Sequence, residues 1–435
     1  GNATGGLEHD GEYGTSGSVN VAGSRFHSEL CDRFLEASRE IGLPIHDGAS
    51  INSNPQEGAG YFLQSARDGF RCSSAVAHLN GTFERSNLHV VTDCLVGRVV
   101  LDERDRRRAV GVTLLDQAAN HNNNKDQSRP TTLHVRVDAS DPRSEVILSA
   151  GAIGSPHILQ LSGIGDGATS ERIGVDHHVH LPGVGQNLQD HLQLRQVFEC
   201  RGLPTLNTQL ATYLQQFLVG VQYAANRTGP LSMAASQVCA FVKTQEGMAR
   251  PDVQFHLQPL SAGTPGAGLD PYSAFTSSVC QLRPTSTGSI EVMSADPTDA
   301  PRLHPNYLST EEDVRCAVDA LRFSRRLCAE TKAMAPITGK ELRPGSQFVT
   351  DDELLEGAML VAESIYHPAG TCRMGAALDG GDYAADVNAV VDPELRVLGG
   401  VKNLRVVDCS IMPSIVSGNT NAPTMMIAQR ASEMI

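Results

Sequence analysis

The chain has 435 residues, 40% of them hydrophobic, with 41 Gly and 22 Pro, which predicts one large or two closely packed loop-rich globular domains and not a disordered chain. A formal net charge of −14 argues against nucleic acid or an anionic membrane as partner, and no apolar run reaches the ~18 residues that a membrane-spanning helix needs. Ten scattered cysteines contain no C-x-x-C, which argues against a zinc or thioredoxin-like motif and gives little sign of a disulfide scaffold.

Residues 1–20 are rich in Gly, Asp and Ser and read as a surface segment. The sequence starts at Gly1 without a Met or a signal-like stretch, as a piece of something longer would. Asn2-Ala-Thr4, Asn80-Gly-Thr82 and Asn226-Arg-Thr228 fit the glycosylation pattern; chance gives such matches at this length, so secretion is an open alternative. Leu30, Phe34 and Ala37, with Leu35 beside them, form an apolar stripe of helical period that ends before Gly42-Leu43-Pro44. Leu88, Val90 and Val91 read as a buried strand, and Val96, Val99 and Val100 continue the β character after a turn. Ala118–Thr132 is a low-complexity hydrophilic insertion joining two strand-like runs and receives no function.

Val146-Ile147-Leu148 is a predicted strand, and Ser149 to Gly154 a turn of small residues. Ser155-Pro156 supplies a helix N-cap with Pro at the first helical position, and Ile158, Leu159 and Leu161 lie in a short helix stopped by Gly163 and Gly165. Such a turn lets a cofactor lie against the backbone while the helix N-terminus favours negative charge; the same arrangement is also common as plain structure. Asp190-His191 invites an acid/base reading beside that of a structural loop.

Further on, Leu206, Leu210, Phe217 and Val221 support an amphipathic helix, Thr228-Gly-Pro-Leu231 a turn, and Pro251 to Leu257 a sheet strand. After Gly288, Ser289 to Val292 and Pro305 to Leu308 continue the β pattern. A capping box, Ser309 to Glu312, opens a helix with Val314, Ala317 and Leu321 on one face. His256 and His304 are isolated and read as structural. No His/Asp/Glu cluster has metal spacing, and no G-x-S-x-G occurs.

In Ser364-Ile-Tyr-His-Pro-Ala-Gly-Thr-Cys-Arg-Met-Gly375, the residue before a proline is steered toward extended geometry. His367 is therefore expected at a strand end or in a loop, projecting into a cleft. An imidazole exchanges protons near neutrality, although a single His also fits a satisfied core or surface position. The run Val406-Val-Asp-Cys-Ser-Ile-Met-Pro-Ser-Ile-Val-Ser-Gly-Asn-Thr-Asn-Ala-Pro-Thr-Met-Met-Ile-Ala428 reads as strand, polar turn, helix.

These two runs, with Gly151-Ala-x-x-Ser155-Pro-x-x-Leu-x-x-Ser-Gly-Ile-Gly165 and Gly183-Val-Gly-Gln-Asn-Leu-Gln-Asp-His191, closely resemble the glucose–methanol–choline (GMC) oxidoreductases, in the same order, from about residue 14 to 435. The resemblance implies an α/β fold of mixed α+β character. A Rossmann-like FAD-binding domain would interleave with a substrate domain built on an antiparallel sheet with helices. Residues 1–70 would be a substrate-domain or surface segment, 71–165 the middle of the FAD-binding domain, 166–400 the substrate-binding domain and 401–435 the C-terminal part of the FAD-binding domain. His367 falls on the family's catalytic histidine. Asn419 falls where the family carries a second His or an Asn, as in its choline-type branch. For the cofactor, FAD, the resemblance points to the backbone at Val96 beside the adenine, to Ala150, Gly151 and Ser155 at the turn, to Asp408 and Cys409 along the ribityl chain, and to Asn421 and Thr424 beside the ring; no metal is implied.

The family's first βαβ unit should carry G-x-G-x-x-G and an acidic residue some twenty positions on. Gly183-Val-Gly-Gln-Asn-Leu lacks the third glycine and follows no suitable strand. The expectation is that this N-terminal FAD-binding unit is missing, and that the chain holds FAD weakly. With the unit supplied, a small-molecule alcohol would hydrogen-bond His367, which takes the hydroxyl proton as hydride leaves for flavin N5; Asn419 would orient the substrate oxygen. Oxygen or a quinone would be the electron acceptor. A flavin-free inactive fragment and a hydroxynitrile-lyase-like, non-redox member are the alternatives.

Overall fold

The computed structural model describes residues 17–46, 56–116, 132–138, 141, 143–263, 268–375 and 386–435. Most of the expected surface segment 1–20 and of the insertion Ala118–Thr132 lies outside the described residues. The chain folds as two units, each discontinuous in sequence. One comprises Gly1–Leu88, Leu192–Leu282 and Glu311–Ile365, the other His89–His191, Arg283–Thr310 and Tyr366–Ile435. Among the described residues no helix is long and apolar enough to cross a membrane.

The first unit is built on a seven-stranded antiparallel sheet. Its strands run in the order Thr338–Arg343, Leu192–Cys200, Ala274–Gln281, Val253–Gln258, Val238–Val242, Gly58–Tyr61, with Ala362–Ser364 also pairing on Leu192–Cys200. The alternation in Val253–Gln258 decides its faces. The Phe255 ring packs tilted at 37° against Phe323 of the helix Glu311–Arg325, centroids 5.6 Å apart, and Ser277 Oγ meets Ser324 Oγ of that helix at 2.9 Å. Gln254 and His256 lie on the opposite face and are buried as well. The helix Glu29–Glu40 buries Leu30, Phe34 and Ala37 as its period predicts, and the chain leaves it through Gly42 at φ +88.

In the second unit, Cys94–Leu101, Ala109–Asp116 and Thr132–Arg136 form an antiparallel sheet. Val146–Leu148 pairs in parallel with Leu404–Val406, Val146 opposite Leu404 and Leu148 opposite Val406. Each of these short strands feeds a turn and then a helix, Gly151–Leu161 and Asn421–Ser432, which is the strand–turn–helix order expected of a mixed α/β flavin-type fold. The core between them is apolar, with Val99, Leu148, Ile158, Leu159, Val390, Val406, Ile411 and Ile427 buried together.

Several local expectations are corrected. Val90 and Val91 are in no strand and are exposed; the strand starts at Cys94, after the chain turns at Asp93 with φ +58. The helix expected through Leu206–Val221 is two helices, Leu206–Gln209 and Tyr213–Asn226, because Thr212 and Gln215 cap each other and restart it. Pro305–Leu308 is a turn, with Asn306 and Leu308 at φ +57 and +56. The helix after it starts at Glu311, and the Ser309 hydroxyl accepts from Asn306 Nδ2 at 3.1 Å.

Candidate functional site

The helix Gly151–Leu161 begins one turn earlier than Ser155-Pro156 suggests, with Ala150 at its N-cap. Pro156 therefore stands inside it and cannot donate to the carbonyl four residues back, that of Ala152. Thr371 answers that loss: its hydroxyl donates to the Ala152 carbonyl at 2.6 Å. Ser155, freed from capping, donates through Oγ to Asp408 Oδ2 at 2.6 Å and accepts from the Ala150 N–H at 3.1 Å. Asp408 Oδ2 also accepts from the Gly151 N–H at 2.8 Å, and Oδ1 from the Ser410 N–H at 2.8 Å. The negative charge at this helix N-terminus is the chain's own buried Asp408 carboxylate.

The same interior holds the segment around His367. Gly370, Cys372 and Met374 donate their N–H groups to the carbonyls of Cys409, Ser410 and Ile411. On the other side, Gln189 and Ala369 exchange N–H···O bonds of 3.0 and 2.9 Å. Gly370, at φ +89, admits this close passage, since a Cβ there would stand 2.6 Å from the Asn187 carbonyl oxygen. Gln189 further accepts from the Ile415 N–H at 3.1 Å and donates to the Pro413 carbonyl at 3.3 Å. These bonds bring the loop that carries Asn419 round to His367.

His367 is 8% exposed, and its main-chain N–H and both ring nitrogens have partners. Its backbone N–H donates to Asp190 Oδ1 at 2.9 Å, and Tyr307 donates to Asp190 Oδ2 at 2.5 Å. Tyr307 follows the hairpin Ser289–Glu291/Arg302–His304, which Leu188 anchors through paired bonds with Gly288 of 2.9 and 2.8 Å. His367 Nδ1 lies 3.0 Å from Nδ1 of the fully buried His191, ring edge to face at 82°. His367 Nε2 lies 3.3 Å from Asn419 Nδ2. An amide nitrogen only donates, so Nε2 carries the lone pair and the ring proton sits on Nδ1. Burial holds the His367 pKa below its ordinary 6.5, against the opposing pull of the Asp190 charge. The ring is thus a neutral acceptor at neutral pH, and Tyr366 before it stands at φ +64, a backbone conformation that costs about 1–3 kcal/mol in a non-glycine residue. The sequence pairs His367 with Asn419 and offers Asp190-His191 an acid/base reading beside that of a structural loop; it gives no role to Tyr307. Only the Gln189–Ala369 pairing turns that dipeptide into a neighbour.

The other residues singled out for a cofactor divide into two groups. Ser155, Asp408 and the Gly151 N–H spend their polar atoms on one another, so only the backbone and the small surfaces there remain for a ligand. Ala150 is exposed, and nothing stands within 4 Å of a Cβ placed on Gly151, at φ +79. Cys409 is half-buried, its thiol pKa raised by burial and its Sγ 3.3 Å from the Pro368 carbonyl. Val96 is a half-buried strand residue. At the helix Asn421–Ser432, Thr420 makes no side-chain cap and Asn421 and Ala422 are exposed. Uncapped N–H groups at a helix N-terminus attract electron-rich oxygens. The open turn at Ala150–Gly151 and this uncapped end fit the close backbone contacts that FAD needs and the negative charge its ring carries once reduced. Among the described residues no group of three or more His, Cys, Asp or Glu could hold a metal ion.

A family model described as GMC oxidoreductase matches the chain twice, with its N-terminal part over residues 15–193 and its C-terminal part over residues 284–428. This corrects the expectation that the family's N-terminal FAD-binding unit is missing: the match runs through residues 15–193, in which no complete G-x-G-x-x-G occurs. Choline dehydrogenase, mitochondrial, of Homo sapiens is 38% identical over 97% of this chain and 66% of its own length. Oxygen-dependent choline dehydrogenase of Vibrio vulnificus is 35% identical over 99% of this chain and 71% of its own length. The chain therefore spans about two thirds of the curated relatives it matches. Among solved structures, pyridoxine 4-oxidase from Mesorbium loti superposes with a TM-score of 0.78 at 25% identity, covering 97% of this chain and 72% of that one.

Proposed function

The chain belongs to the GMC oxidoreductase family, and on that footing we propose that it oxidises an alcohol to an aldehyde or ketone with His367 as the base. When bound, FAD supplies the acceptor for the hydride. The alcohol hydroxyl approaches His367 Nε2, the atom that now faces Asn419 at 3.3 Å, and gives it the proton. Asn419 keeps the substrate oxygen in line through its amide. The Asp190 carboxylate holds the His367 backbone, and so the ring's origin, through the 2.9 Å bond to its N–H. Ala150, Gly151, Asn421 and Thr424, with the backbone at Val96, Asp408 and Cys409, are the residues we assign to FAD. Segments 71–165 and 401–435 would form its side of the molecule, 166–400 the substrate side, with 1–70 joining the latter.

The observation that carries this reading is a buried imidazole, held neutral by its surroundings, whose Nε2 faces the Asn419 amide, placed to share a substrate oxygen with it. The experiment loads the full chain with FAD and mixes it anaerobically with choline, pyridoxine or benzyl alcohol while the flavin absorption is followed. Bleaching by one of these alcohols is expected. A flavin that all three leave oxidised, in a chain that nevertheless releases aldehyde from a cyanohydrin, would contradict alcohol oxidation and favour a lyase.

A further inference from the structure

We propose that His191 is a positioning residue for His367: its Nδ1 accepts the Nδ1–H of His367, which fixes the tautomer and the ring plane that aim the Nε2 lone pair out at Asn419. The inference rests on reading His367 as the base.

Which nitrogen of an imidazole carries the proton is set by the hydrogen bond that the other nitrogen makes. Here the two Nδ1 atoms are 3.0 Å apart, so one of them must donate and one accept. Asn419 Nδ2 faces Nε2 of His367 at the longer distance of 3.3 Å and agrees with one assignment: His367 donates, and His191 accepts with its own proton on Nε2. The partner is an imidazole and not a carboxylate, and that has a consequence. The nearby carboxylate, Asp190, accepts from the main-chain N–H of His367 and from the Tyr307 hydroxyl. The ring is thus oriented by a neutral acceptor at Nδ1; the Asp190 charge still pulls its pKa upward, but burial outweighs that pull. Two cations 3.0 Å apart inside the protein repel strongly, so the pair carries one proton beyond neutrality at most. When Nε2 takes a proton, His191 stays neutral and continues to accept.

The backbone makes this contact obligatory. The paired bonds between Gln189 and Ala369 set the register of the two segments, and His191 and His367 each lie two residues from that pair, both buried. Replacing His191 therefore changes the acceptor without moving the strand pairing, which is carried by main-chain atoms.

The test uses the full chain loaded with FAD and labelled with 15N in its imidazoles. Signals of His367 are identified by their loss in His367→Gln, and the tautomer is read by long-range 15N–1H correlation at pH 8, without turnover. His191→Leu removes the acceptor, whereas His191→Asn keeps one, because the amide oxygen of Asn falls near the place of Nδ1. In the native chain the His367 proton is expected on Nδ1. In His191→Leu it should move to Nε2, where the Asn419 amide turns its oxygen to accept it, and anaerobic flavin reduction by whichever of choline, pyridoxine and benzyl alcohol is fastest should slow by ~10²-fold or more with the half-saturating alcohol concentration within about twofold. His191→Asn should keep the native tautomer and most of the rate. An unchanged tautomer in His191→Leu, or equal loss of rate in the Leu and Asn variants, would overturn the proposal while leaving His367 as the base. Should His191→Leu not fold, His191→Gln replaces it, since its amide reaches the place of Nε2; equal tautomers and rates in the Gln and Asn variants would likewise overturn it.

Discussion

At the scale of single residues the site depends on small repairs. Pro156 leaves the Ala152 carbonyl without its helical donor, and Thr371, four residues after His367, supplies one. Thr371→Val keeps the shape and removes the donor. A buried acceptor left unpaired costs about 1–3 kcal/mol, so the urea midpoint of Thr371→Val should fall accordingly, and an unchanged midpoint would mean that water or another group replaces Thr371. His367 carries a prediction of sign. Its folded pKa lies below the ordinary 6.5, so as pH falls through 6.5 the unfolded chain takes the proton first and the fold loses stability. The free-enzyme acid limb of kcat/KM belongs to the folded form and should therefore have its midpoint below 6.5. A midpoint above 6.5 would mean that the Asp190 charge outweighs burial.

At the scale of elements, the helix Gly151–Leu161 is tied to the strand end at Asp408 by a carboxylate that takes three donors. Charge-assisted bonds of this kind are strong, and each is further favoured by the helix N-terminus. Asp408→Asn should lower stability by about 2–3 kcal/mol, and a double-mutant cycle with Ser155→Ala should return a coupling of about 0.5–3 kcal/mol; additive losses would sever the link. By contrast, the helix Tyr213–Asn226 has no buried residue, and Phe217 on it is 66% exposed. Phe217→Ser should change stability by no more than ~0.5 kcal/mol, whereas Phe255→Ala, at a fully buried ring, should cost about 3–5 kcal/mol. This contrast marks what periodicity conveys. The stripe Leu206 to Val221 has a helical period, but period says nothing about whether a partner covers the face. The stripe Leu30 to Ala37 has the same signal and is buried. Ser155-Pro156 looked like a helix start because those residues favour one; the Asp408 clip, 253 positions away in sequence, lets the helix begin earlier.

At the scale of the whole molecule, each unit is assembled from three separate stretches, and the site gathers Asp190-His191, Tyr307, His367 and Asn419 from four places in one of them. Sequence motifs point to His367 and Asn419 as candidates because His-Pro-x-Gly-Thr and the C-terminal run are distinctive as strings. They offer His191 an acid/base reading but do not bring it or Tyr307 to His367, since that placement depends on main-chain pairing between Gln189 and Ala369 and between Leu188 and Gly288. The absent glycine fingerprint misled in the opposite direction. It suggested a missing N-terminal unit, whereas the family's N-terminal model extends over residues 15–193, whose strand–turn–helix block at 146–161 carries the recognisable pattern.

The most direct measurement for alcohol oxidation by this site is the rate of anaerobic flavin bleaching in His367→Gln against the native chain, both loaded with FAD at pH 8 and mixed with the alcohol that reduces the native chain fastest. Loss of a positioned base should slow bleaching by ~10²–10⁴-fold, with the amount of FAD retained after desalting unchanged, since the hydrogen bonds of His367 go to Asn419, His191 and Asp190. Bleaching at the native rate in His367→Gln would contradict the account at its centre.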